Sequence, residues 1–305
     1  MAKQVAKKTA APKPTGKQVA ATTSKALKTA DVDVMLLMER DAGRGVSTAA
    51  EDNIIPLIYK LHTSSPQVLK QKSEYIKGAV AGMIWPRGSK TLIDGEETGL
   101  PFIPVAFKKW WMEWGAERGE GFFGRHEYNA TNENKGRPED AQWNEDPKKT
   151  GGGVWVRENG HVLIETREHA GLAFINDQWT GSVVSMASTD HGASRMWMGL
   201  MKDKRIPKVE NGKIAGYTDK RAPCFAYVYN IKTVAKSNDK GDWHGWAVED
   251  GMGDGEITFV PTDVEGGGPL YLLARQLADD FESGVKQAEA PVDVGDGPSD
   301  DDSDI

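Results

Sequence analysis

Val154-Trp155-Val156-Arg157-Glu158-Asn159-Gly160-His161-Val162-Leu163-Ile164-Glu165-Thr166 is the stretch that decides the fold class. Asn-Gly between two alternating apolar runs is the strongest short-range hairpin signal, because a two-residue β-turn needs positive φ and these residues tolerate it best. The same strand-and-turn grammar extends outward. Gly99 to Trp114 (GLPFIPVAFKKWWMEW) reads as a strand rich in aromatic and β-branched residues. Val183-Val184-Ser185-Met186 reads as another. Pro223 to Val234 (PCFAYVYNIKTV) alternates, turns at Ser237–Asp242 and returns over Trp243–Val248. Thirty-four glycines agree with a chain that turns often.

Helical signals are fewer. Ser188-Thr189-Asp190 looks like an N-cap region ahead of a helix through Ser194–Lys202. Leu270, Leu273, Leu277 and Phe281 recur at helical spacing. Residues 32–41 predict a short helix, ended by Gly43 and Gly45. Ile54-Ile55-Pro56-Leu57-Ile58-Tyr59-Lys60-Leu61 is an apolar run broken by proline, which predicts an edge strand or a lead-in segment. Residues 115–152 are polar and predict a long loop, functional or mobile. The class is mainly β (α+β), with one or two accessory helices.

The ends differ from the middle. Residues 1–30 hold seven Lys and no acid, and read as a basic disordered arm. Residues 289–305 hold seven acids and no base, within an acidic disordered tail that begins at 285. These charges cancel, so residues 31–288 between them carry the net −7 themselves. Nucleic-acid affinity there must come from local patches. Cys224 is the only cysteine, which excludes an internal disulfide framework and a Cys-based zinc site and points to a reducing compartment. No apolar run reaches the 18 residues of a membrane span, and no secretory signal opens the chain. A cytoplasmic protein is expected.

Catalytic signatures are absent. There is no Walker loop, dinucleotide fingerprint or nucleophile elbow. Gly266-Gly267-Gly268 precedes Pro269 as an ordinary helix start. The six His show no i, i+4 metal pair. Asp250 to Glu256 lacks the twelfth-position acid of a calcium loop and reads as a turn. Neither an enzyme, a metal nor a cofactor is expected.

The aromatic–basic run Lys108-Lys109-Trp110-Trp111-Met112-Glu113-Trp114 is more informative. On a strand, Lys108, Trp110, Met112 and Trp114 share one face, and Lys109, Trp111 and Glu113 share the other. Single-stranded nucleic acid needs cations for phosphates beside rings for bases. Candidate stacking rings are Trp110, Trp111, Trp114, Trp155 and Tyr229. Candidate phosphate contacts are Lys108, Lys109, Arg157 and Lys232. Half of the strand rings must face a core in any case. Asp300-Asp301-Asp302, Asp304 and the apolar terminus Ile305 form a peptide handle for a basic–apolar pocket on a partner.

Glu51-Asp52-x-Ile54-Ile55-Pro56-Leu57-Ile58-x-x-Leu61-x-x-x-Ser65-Pro66 resembles the opening of tailed-phage proteins of early DNA metabolism. Val105–Trp114, the triple Gly before a strand, Ser188-Thr189 before a helix and Asn238-Asp239-Lys240-Gly241-Asp242-Trp243 extend the likeness over about residues 51–260. The acidic tail resembles that of bacterial and phage single-stranded DNA-binding proteins, although those usually end in an aromatic residue and this chain ends in Ile305. The resemblance implies an OB-like β-barrel that coats single strands during phage replication or recombination, with the tail recruiting replication proteins. A virion or scaffold component is the rival expectation, since charged ends and a Gly-rich β domain suit it too.

Overall fold

The computed structural model describes residues 54–117, 120–145, 153–210, 213–238, 241–253 and 256–291. The Lys-rich arm, the short helix expected over 32–41, Asp300, Asp301, Asp302, Asp304 and Ile305 lie outside them. The protein is mainly β, with a curled half-barrel sheet and few helices.

In chain order the strands begin with β1 (Ile54–Ile55), β2 (Leu57–Lys60), β3 (Ile84–Pro86) and β4 (Leu100–Trp114). Next come β5 (Phe122–Glu127), β6 (Gln142–Glu145), β7 (Gly153–Val156), β8 (Val162–Ile175) and β9 (Gln178–Ala187). Helix α1 (His191–Asp203) leads to β10 (Arg205–Glu210), β11 (Lys213–Arg221), β12 (Tyr227–Asn238), β13 (Gly241–Asp250) and β14 (Thr258–Phe259). The short α2 (Val260–Asp263), then α3 (Gly267–Glu282) and β15 (Gln287–Ala288) complete it. The main sheet runs β13-β12-β4-β8-β9-β2-β3.

Two expectations change. Residues 115–152 contain β5 and β6 rather than one long loop, because β5 adds to the exposed edge of β4 and β6 pairs with β7. Proline 56 does not leave an edge strand. It separates β1 from β2, and β2 lies inside the sheet between β3 and β9. The Asn-Gly hairpin joins β7 to β8, with Gly160 at φ +87°. A second tight turn has positive φ at both Asn176 and Asp177, the geometry that a two-residue turn needs to join the long strands β8 and β9.

Strand β4 is the spine. It pairs with β8 along one edge from Phe102 to Trp114. Its other edge takes β12 at Leu100–Phe102 and β5 at Trp110–Trp114. Pro104 can sit inside this central strand because the register shifts between Pro104 and Ala106. Gly171 faces it, and a Cβ there would lie 2.2 Å from the Ile103 carbonyl oxygen, so only glycine fits.

The sheet buries both faces over its middle. On one, α3 packs Leu270, Ala274, Leu277, Ala278 and Phe281 against Ile103, Val105, Leu172 and Val228. Leu273, expected in that stripe, is half exposed, because Ala274 takes its place one position along. On the other face α1 inserts Trp197, which is fully buried, between Phe102, His169 and Tyr229.

Asp190, just ahead of α1, does not cap the helix. Its carboxylate accepts the Trp246 backbone N–H at 2.8 Å and pairs with Lys60. Lys60 belongs to β2 and Trp246 to β13, so one buried acid ties together two strands from opposite ends of the sheet. Thr233, from β12, reinforces this seam by donating to the Gly82 carbonyl at 2.6 Å.

His169 gives the fold a pH signature. Burial, with the charge of Arg167, pushes its pKa down to about 3. The unfolded chain takes up that proton near pH 6.5, so between pH 6.5 and 3 the unfolded state binds more protons, and stability falls as the pH drops. At pH 4.5 the loss is about 2–3 kcal/mol by this group alone. His191 shifts in the same direction, chiefly by burial. Chemical denaturation at pH 7 and pH 4.5 should therefore give a smaller pH difference for His169→Gln than for the native chain. An unchanged difference would remove His169 from the account.

Candidate nucleic-acid interface

The C-terminal half of β4 carries the aromatic–basic run, and the expected alternation holds. Lys109, Trp111 and Glu113 lie on the α1 side, opposite Arg167, Glu165 and Leu163 of β8. Lys108, Trp110, Met112 and Trp114 lie on the α3 side. The two faces do different things.

On the α1 side the rings form a stack. Trp111 is buried, donates its indole N–H to the Lys135 carbonyl at 3.1 Å and stacks on Tyr128 with centroids 6.0 Å apart. The Arg137 guanidinium lies 5.0 Å from the Trp111 ring and 3.5 Å from the Trp155 ring. Trp155 meets Trp143 of β6 edge-to-face at 5.5 Å, and Trp143 is 48% exposed. The sequence thus ends up as a graded surface: Trp111 as floor, Arg137 as filler, and Trp155 and Trp143 toward solvent. Lys109 sits 4.6 Å from the Tyr128 ring and 3.5 Å from Glu165.

Beside the stack, Glu113 is the hub of a charged network. It accepts from His161 Nδ1 at 2.6 Å, His126 Nε2 at 2.7 Å and Arg157 Nη1 at 2.9 Å. Burial pushes its carboxyl up, but the hydrogen bonds from His161, His126 and Arg157 outweigh this and hold its pKa at about 2. Arg157 also binds Asp140 at 3.1 Å. Its guanidinium is therefore committed to two acids and braces the β7–β8 turn against β4.

The α3 side is more closed. Lys108 donates to the Phe281 carbonyl at 3.3 Å. The guanidinium of Arg125 lies 5.5 Å from the Trp110 ring, and Arg125 also donates to the Ala288 and Glu289 carbonyls. Glu168 lies beneath. Burial raises its pKa, against the pull of Arg125, the Trp110 N–H and Lys108. Trp114 meets Phe122 edge-to-face. The stem of the acidic tail runs across this face, since β15 pairs in parallel with β1 and Glu289 binds Arg87 at 3.0 Å.

Tyr229 and Lys232 lie elsewhere. Both are on β12, beside the Leu100 end of β4, about 30 Å along the strand from Trp110. Tyr229 is fully buried against Trp197 and offers no ring to solvent. Lys232 lies 3.8 Å from Glu249. Of the nine residues read from the sequence, the fold thus gathers Lys109, Trp111, Trp155 and Arg157 on one face and Lys108, Trp110 and Trp114 on the other. Arg137, Tyr128 and Trp143 were missed. Their only signal was their place in the polar 115–152 stretch, where a lone Arg and two isolated rings have no periodicity to mark them.

Among the described residues, no group of three or more His, Cys, Asp or Glu could hold a metal, and no helix is long and apolar enough to cross a membrane.

Fold and surface together define a mainly β protein with a ring-lined, cation-studded face at one end of its sheet. The chain belongs to the Pam3 phage gp34-like protein family, whose model matches residues 22–286, and it is thus a phage protein. Comparison with curated proteins and with solved structures found no match.

Proposed function

We propose that this phage protein binds single-stranded DNA on the Trp111–Arg137–Trp155–Trp143 surface. The carrying observation is the stack itself, in which indole rings and a guanidinium alternate and end in a half-exposed tryptophan. Unpaired bases stack on such rings with little regard to sequence, while duplex DNA hides its base faces. Tyr128 and Lys109 extend the surface. Trp110 and Trp114, under the tail stem, are secondary candidates. In this reading the half-barrel is an OB-like platform without catalytic or cofactor chemistry, working in the host cytoplasm during replication or recombination. Asp300, Asp301, Asp302, Asp304 and Ile305 compete with DNA for the basic surface and recruit partner proteins.

The test is an electrophoretic shift with matched single- and double-stranded oligonucleotides in increasing salt. Single strands should bind more tightly, and log affinity should fall with log salt by about 0.7 per phosphate contacted. Equal affinity for duplex, or affinity indifferent to salt, overturns the proposal.

A further inference from the structure

Strands β10 and β11 pair only with each other among the described residues and form a two-stranded ribbon apart from the main sheet. An isolated hairpin is marginal in water, and this one exposes Ile206, Val209, Ile214 and Tyr217. Its charge is opposite to that of the chain. Residues 202–221 hold seven bases against three acids, in a protein of net charge −7. Lys202, Lys208, Lys220 and Arg221 are exposed and make no ion pair among the described residues. By contrast, the cations of the main sheet nearest the aromatic run are mostly tied to acids or carbonyls.

A groove of about 230 Å3 opens at the root of the ribbon. Ala106, Phe107, Met198, Met201 and Cys224 line it, and Lys202 and Arg221 stand on its wall. It has a structural cause. The β4 edge between its β12 and β5 partners, from Ile103 to Lys108, has no paired strand among the described residues. Cys224 covers part of that gap, with Sγ 3.5 Å from the Val105 carbonyl oxygen. Phe107 lies on the same face of β4 as Lys109 and Trp111, about 13 Å from Trp111 along the strand. Stack, groove and ribbon therefore follow one another on the α1 side.

We propose that the groove and ribbon form a second nucleic-acid subsite, which takes the strand as it leaves the aromatic stack. The apolar groove accepts the ring of one base. Lys202 and Arg221 hold its flanking phosphates, and Lys208 and Lys220 on the ribbon hold the next ones. The occupant is chosen by charge: a polyanion complements this basic patch, whereas a symmetric contact with the same patch of a second copy would set these cations against one another. The inference rests on the single-strand reading above, and it adds the exposed cations of the ribbon to Arg137 of the stack.

The experiment measures binding by fluorescence anisotropy with full-length chains and oligo-dT of about 6 and about 20 nucleotides, lengths that bracket a typical single-strand site. The native chain is compared with the Lys208→Glu/Lys220→Glu double variant, whose melting temperature should match because both side chains are exposed. The native chain should bind the longer strand more tightly. The double variant should bind the short strand as the native chain does and the long strand about tenfold or more weaker, with a salt slope smaller by about 1.4 for two lost contacts. If the native chain binds both strands and the double variant matches it on both, the ribbon proposal is overturned and the stack stands. If the native chain binds neither strand, both readings fall. If the charge reversal instead converts an oligomer into monomers on sedimentation, the ribbon contacts another copy and the subsite is overturned.

Discussion

Asp190→Ala lowers the stability of the fold by about 3–5 kcal/mol, measured by denaturant unfolding at neutral pH. The residue is 3% exposed, and Lys60, its ion-pair partner, is 5% exposed. Removing the carboxylate takes a buried counter-charge from Lys60 and leaves the Trp246 backbone N–H without the oxygen it donates to. The cost is that of breaking a buried pair by removing one partner, which exceeds what the ion pair contributes relative to apolar neighbours. A control separates the two quantities. Asp190→Leu combined with Lys60→Met removes both charges and should recover most of the loss. A single variant within about 1 kcal/mol of the native chain would mean that water reaches this seam and that the two strands do not depend on it.

Trp111→Ala and Trp155→Ala part company although both rings flank the same guanidinium. Trp111 is buried, so its removal should cost about 3–5 kcal/mol of stability. It also frees the Lys135 carbonyl and loosens the turn that carries Arg137. Trp155 is only partly covered and has a solvent-side neighbour in Trp143. Its removal should leave melting nearly unchanged and weaken single-strand binding by about 1–3 kcal/mol, which is about 5- to 150-fold. Tryptophan fluorescence should be quenched on binding by the native chain and less so by Trp155→Ala. If both variants lose only stability, these rings are a core extension and the binding surface must be sought elsewhere.

What the sequence could say follows from how local the information was. Asn159-Gly160 announces its hairpin because a glycine free to take positive φ sits between two apolar runs, although the turn closes across Arg157 and His161 and only Gly160 takes that φ. Alternation along Lys108–Trp114 correctly divides the rings between two faces, since a strand has no other choice. It does not tell which face is covered. That is decided by a distant element in each case: Lys135 and its turn close over Trp111, and the end of α3 at Phe281 meets Lys108. Tyr229 looked like an exposed ring in an alternating strand, but β12 lies between β13 and β4, and α1 presses Trp197 onto it. Arg157 read as a phosphate ligand because its two acids, Glu113 and Asp140, are 44 and 17 residues away. The ribbon was unread as well. Its strands carry Pro207 and Gly216 and shift register, so no clean period survives.

The parallel pairing of Ile54–Ile55 with Gln287–Ala288 sets the first and last strands among the described residues side by side. A crossover bridge from the end of β15 back to the start of β1 could join them, and the chain could be reopened at the tight Asn176–Asp177 turn. Such a circular permutant would keep every strand pairing while exchanging the order in which β1–β8 and β9–β15 are made. The native order leaves β2 waiting for β9 across more than 110 residues before it can take its place between β3 and β9. Permutation would bring β9 ahead of β2, so that β9 would wait for β2 across a separation of about the same length.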